Sequence, residues 1–133
     1  MRLFVSVILA VTLLTLGVPA QAHHSFNTFW DMGKTLEIEG VVKSFKLVSP
    51  HSELQLEVTE PNGQTALWVI TAKTGAANAK KLGIKPQEWV GLKVKVAGNP
   101  PRKEGAKSMV AGVVTFPDGK TVCLGGCPGV PVD

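Results

Sequence analysis

Apolar and polar residues alternate between Ser52 and Glu60, with Leu54, Leu56 and Val58 on one side and Glu53, Gln55 and Glu57 on the other. A period of two is the pattern of a strand with one buried face. The next residues, Pro61-Asn62-Gly63-Gln64, carry Asn-Gly, the strongest short-range hairpin signal. A third strand follows over Ala66 to Ala72, apolar almost throughout, which predicts cover on both faces. The rest of the chain supplies further strand patterns.

It does so on both sides. Ahead of the hairpin, Leu36 and Ile38 alternate with Glu37 and Glu39, Gly40 interrupts, and the apolar parity moves to Val41, Phe45 and Leu47. A glycine at a parity change reads as a bulge or sharp bend in one long strand. After the hairpin, Thr74 to Gly83 turns rich in Ala and Lys, a short helix with Thr74 as its cap and Gly83 at its end. Gly91 to Gly98 is a fourth strand with Leu92, Val94 and Val96 inward, and Asn99 to Gly105 a loop. Ser108 to Phe116 is a fifth strand, closed by the turn Pro117-Asp118-Gly119-Lys120. Trp68 falls in the core, and Trp89, close to Gly91, covers a barrel end. The tail, 121–133, is read as irregular. The order β-β-β-α-β-β over residues 34–120 is that of an all-β domain with one short helix, a small five-stranded OB-like barrel.

Upstream of the barrel, Met1-Arg2, an apolar run from Leu3 to Leu16, Pro19 and the small residues Ala20 and Ala22 have the grammar of a cleaved secretory signal over residues 1–22. The run is short for a membrane span of about 20 residues; membrane attachment follows only if the leader stays on. Export implies a periplasmic or secreted protein. Cleavage after Ala22 makes His23 the first residue of an arm, 23–33, whose Phe26, Phe29 and Trp30 are expected to pack on the barrel. Losing Arg2 lowers the formal charge of +4 by one. That mild, dispersed charge excludes a nucleic-acid binder, which needs a concentrated basic stripe.

The segments His23-His24-Ser25-Phe26, Gly40-Val41-Val42 with Ser49-Pro50-His51, Trp68, and Val94-Lys95-Val96-Ala97-Gly98 resemble a family of small exported bacterial proteins catalogued only as a domain of unknown function. Its chains typically begin Ala-His-His-Ser-Phe after the signal and carry Asn-Pro-His at the first hairpin. Here Ser49 stands in place of that Asn, and Glu53 where an aromatic residue is often found. The resemblance implies a small β-barrel and no activity.

The chemistry lies in the histidines. All three, His23, His24 and His51, fall at the mature start or in Ser49-Pro50-His51. A terminal histidine offers its amine and its ring to one ion, and a further imidazole completes a three-nitrogen set suited to Cu(II), which favours tetragonal nitrogen ligation. His51, or less easily His24, would supply that third nitrogen. Cleavage before Ala22 would instead leave a third-position histidine, also a copper chelate. Reach is the test. Eleven steps from His23 to Lys34 span roughly 36 Å when extended, and the arm must run back along the first strand to meet His51. The alternative for these histidines is a soluble start and a turn residue bonded to backbone. The copper reading makes the chain a module for sequestration or delivery, its partner a periplasmic or membrane copper protein.

A second function reading comes from the barrel. OB barrels bind extended ligands across strands two and three and between the first and last loops, where Lys43, Lys46, Trp68, Arg102, Lys103 and Lys107 could meet a glycan or peptide. Three Trp, five Phe and no Tyr make a poor stacking platform. Cys123 and Cys127 suit one disulfide in an oxidising compartment, pinning the tail. Cys-x-x-x-Cys-Pro is also similar to the thiol motif of some copper-delivery proteins. No triad, phosphate loop or haem-attachment motif is present, so a non-enzymatic binding module is expected, with a copper oxygenase left open. Oligomeric state is not legible.

Overall fold

The computed structural model describes residues 26–127. The leader, His23, His24 and Ser25, and the last six positions of the tail lie outside them. After a one-turn helix α1 (Phe26–Phe29) come β1 (Leu36–Lys46), β2 (Glu53–Thr59) and β3 (Thr65–Ala72). Two short helices, α2 (Ala76–Lys81) and α3 (Pro86–Trp89), precede β4 (Lys93–Asn99), β5 (Ser108–Thr115) and β6 (Thr121–Cys123). β1 pairs antiparallel with both β2 and β4, β2 with β3, and β4 with β5. A parallel pairing of β3 with β5 closes the ring, the OB-like barrel expected from the order of elements.

The alternating residues point where their pattern requires. Leu54, Leu56, Ile70, Val94, Val96, Met109 and Val114 are fully buried inside the barrel. Each Leu, Ile or Val so buried contributes about 1.5–3 kcal/mol. Trp89 plugs one end, its ring 4.8 Å from both Phe45 and Phe116. The Asn-Gly hairpin forms as read: Gly63 is left-handed, Asn62 Oδ1 accepts from the Gln64 amide, and the Glu60 amide donates to the Gln64 carbonyl.

Several local expectations are corrected. The parity of β1 does not change at Gly40. Ile38, Gly40 and Val42 all face inward, and the register slips between Val42 and Ser44. Gly40 is instead a point of close approach, where a Cβ would stand 2.5 Å from the Glu57 carbonyl oxygen. Thr74 does not cap the helix. Gly75 is the N-cap, while Thr74 is fully buried, its carbonyl accepting from the Ser52 amide and its amide donating to the Leu124 carbonyl. The helix read over Thr74 to Gly83 forms at Ala76–Lys81, and beyond it Pro86, well suited to a first helical turn, starts a further short turn of helix. β3 is covered on both faces only toward its end; Leu67 is 51% exposed. Leu92 lies outside β4 and is exposed, and Trp68 is partly buried against the core. The tail is not wholly irregular: β6 takes the edge of β5 beyond the stretch held by β3, and Leu124 is fully buried. Cys123 and Cys127 are bonded, with 6.2 Å between their Cα atoms. No helix among the described residues is long and apolar enough to cross a membrane.

Gly40→Ala should lower stability by about 1–3 kcal/mol through overpacking, read as a lower urea midpoint at unchanged slope. At Gly33 an added carbon meets nothing nearer than Asp31 Oδ1 at 3.5 Å, so Gly33→Ala should be nearly neutral. Equal midpoints for the two variants would contradict the close approach.

Candidate functional site

The loop between β1 and β2 carries His51 and is held by backbone bonds on both sides. The Ala72 amide donates to the Ser52 carbonyl and the Ala76 amide to the Val48 carbonyl, while Ser52 Oγ donates to the Val48 carbonyl at 3.4 Å. The Ser49–Pro50 peptide within it is cis. These bonds seat His51 against the end of β3, half-buried.

Across from it lies the arm. Phe26 and Trp30, four residues apart on one helical turn, stack at 5.5 Å between ring centroids. The arm is fixed to the loop between β4 and β5 by an antiparallel bridge of Trp30 with Pro101. The Arg102 amide donates to the Phe29 carbonyl and the Asp31 amide to the Pro100 carbonyl. Arg102 Nε donates to the Asn27 carbonyl at 2.6 Å, and Asn99 Nδ2 to that of Lys34 at 2.8 Å. At the arm's root, hydrogen bonds from Lys34 and from the Gly33 amide hold the Asp31 carboxyl below its ordinary value of 3.8. A lowered carboxylate stabilises the fold above its unfolded pKa, and that contribution is lost as pH falls through the lowered one. The turn that Asp31 makes with Gly33 and Lys34 is therefore intact at neutral pH and weakens only in acid.

The two halves meet at Phe26. Its ring lies 4.9 Å from that of His51, edge to face, and Lys73 Nζ stands 5.6 Å from the Phe26 centroid. The stem of Lys73 packs in turn on Gly125 and Gly126, inside the disulfide loop. His51 Nδ1 is buried with no hydrogen-bond partner among the described residues. A buried ring nitrogen ordinarily has one, so this atom suits a ligand or a neighbour from the preceding residues. His23 lies three residues before Phe26, within about 10 Å of extended chain. Among the described residues, no three His, Cys, Asp or Glu side chains cluster as a metal set.

Most residues of the second reading have individual partners in the fold. Lys43 pairs with Glu57 at 3.7 Å, and Lys107 pairs with Glu60 while lying over Trp68. Arg102 is committed to the arm, and Lys46 and Lys103 are exposed. The arm itself rests on the first and last loops, between which OB barrels take extended ligands. The sequence places Phe26 in the arm but not on His51, and Lys73 not at all. The i, i+4 spacing of Phe26 and Trp30 was a usable signal; Lys73 had none.

A family described as a family of unknown function (DUF6152) matches residues 10–110, and the chain belongs to that family. No curated protein matches the chain.

Phe26→Ala should uncover His51 and speed its modification by diethyl pyrocarbonate several-fold, mapped by peptide analysis. Arg102→Met should act in the same direction but less, and Lys103→Met not at all. Unchanged His51 reactivity in Phe26→Ala would contradict the docked arm.

Proposed function

We propose that this chain is an exported periplasmic module that binds copper through the amine and ring of a mature N-terminal His23 together with His51, for sequestration or delivery. The observation that carries the reading is the packing of Phe26 on His51. It supports an arm that carries the start of the processed chain toward His51, the reach on which shared ligation depends. The unpartnered Nδ1 of His51 fits the missing third nitrogen, and His24 remains the reserve ligand. Chelation by an amine and an imidazole from one residue costs little ordering entropy, and a third nitrogen held on a rigid loop adds to it without further loss. Cu(II) suits such a tetragonal nitrogen set better than other divalent ions of the first transition row. The amine and imidazoles must shed protons to bind, so affinity should fall as pH falls.

The test is a competition titration with Cu(II) on the chain exported through its own leader. Chains with one residue added before His23, or with His51→Ala, are titrated beside it. The native start should bind at least about tenfold more tightly than either, a difference of about 1.4 kcal/mol. Equal affinities for all three would show the histidines to be bystanders.

A further inference from the structure

On the barrel's flank, β1 and the segment from α2 through α3 border an open groove of about 570 Å³. Phe45, Leu47, Ile84 and Val90 give it an apolar lining, and Lys43, Lys80 and Lys85 stand along it. No carboxylate lines it. The nearest acids are already partners of two of the lysines, Glu57 with Lys43 at 3.7 Å and Glu88 with Lys85 at 3.3 Å. All four side chains are about half exposed or more, and surface pairs of that kind are weak and readily exchanged. Lys80, in the last turn of α2, has no ion pair among the described residues.

Two further features single this groove out. Ser44 lines it, and the Ser44 hydroxyl is buried without a hydrogen-bond partner among the described residues. The residue sits at the register slip of β1, and a bulge of this kind re-aims a side chain. Exposed apolar residues also gather here. Val90 is 51% exposed, and Val48 and Leu82, at 47% and 43%, adjoin the lining segments. Exposed apolar surface rimmed by polar groups marks interaction sites.

We infer that this groove docks an acidic, amphipathic segment of a partner protein. An apolar side chain of the partner enters beside Ile84 and Val90, its carboxylates meet Lys43, Lys80 and Lys85, and a partner carbonyl or carboxylate accepts from the Ser44 hydroxyl. Charge complementarity selects the acidic class. The buried Ser44 hydroxyl, which needs one directed acceptor, selects a polypeptide over a lipid surface. The inference does not depend on copper, since none of these residues is a proposed ligand. Leu47 does lie on the same stretch of chain as His51, so a docked partner would sit beside the loop that carries it.

The whole chain, as processed by the exporting cell, is titrated with a short synthetic peptide of leucine and glutamate. A matched peptide with glutamine for glutamate and vesicles containing phosphatidylglycerol are run beside it, and binding is mapped by amide chemical shifts. The acidic peptide should move the amides of Ser44, Ile84 and Val90. The triple variant K43E/K80E/K85E, checked for an unchanged unfolding midpoint, should bind it at least about tenfold more weakly. Ser44→Ala should lose a smaller factor. Shifts confined to other surfaces, no shifts at all, or equal binding of the two peptides would overturn the inference. Vesicles moving these amides where the peptide does not would also overturn it, in favour of a lipid-facing surface.

Discussion

The parallel pairing of β3 with β5 is the contact on which the rest of the molecule depends. Val69 to Ala72 lie beside Ser108 to Ala111, and without that seam the sheet would stay open, with two edges and a half-exposed core. Closure brings the loops after β1 and after β4 to one side of the barrel, where the arm can touch both. It also demands tight approach elsewhere. At the register slip of β4 against β5, a Cβ on Gly98 would lie 2.1 Å from the Val110 carbonyl oxygen, so only glycine fits.

The arm is the second consequence of closure. Ordering each of its residues costs about 1–2 kcal/mol of backbone entropy, which a flexible start would not repay. Here the backbone of residues 29–31 bonds to the 100–102 loop, Arg102 grips the Asn27 carbonyl, and Phe26 closes the far end on His51 and Lys73. These contacts span both loops and hold the arm on the outside of the barrel, with Phe29, expected to pack, left 53% exposed. The disulfide loop joins the same corner through Gly125 and Gly126 on Lys73, so both ends of the described chain converge beside His51.

The barrel was legible in the sequence because its signals are local: strict alternation in β2, the Asn-Gly turn, and Val94 and Val96 alternating with Lys93 and Lys95 in β4. What misled was also local. Gly40 resembles a bulge residue, yet its role is set by the β2 backbone opposite, which no window on β1 contains. Thr74 resembles a cap, but its backbone is used to tie the His51 loop to the tail. β6 is three residues long and exists only because β5 offers a vacant edge there. For the site, histidine placement could be read from the chain, and so could the arm's rings. The contact of Phe26 with His51 could not, because it joins residues 25 positions apart through a fold that must close first. Extended-chain arithmetic made that path look strained, whereas a turn of helix and a bridge to Pro101 carry the arm there.

If the proposed copper site forms, the start of the processed chain and His51 share one ion. Pulsed electron paramagnetic resonance on the copper-loaded chain, with its native start, reads the coordinated imidazoles directly through their remote nitrogens. The account predicts two imidazoles, one of which disappears in His51→Ala while the other remains. The same imidazole count in both proteins would contradict it, leaving His51 a packed residue under Phe26 and the terminal histidines to bind metal on their own.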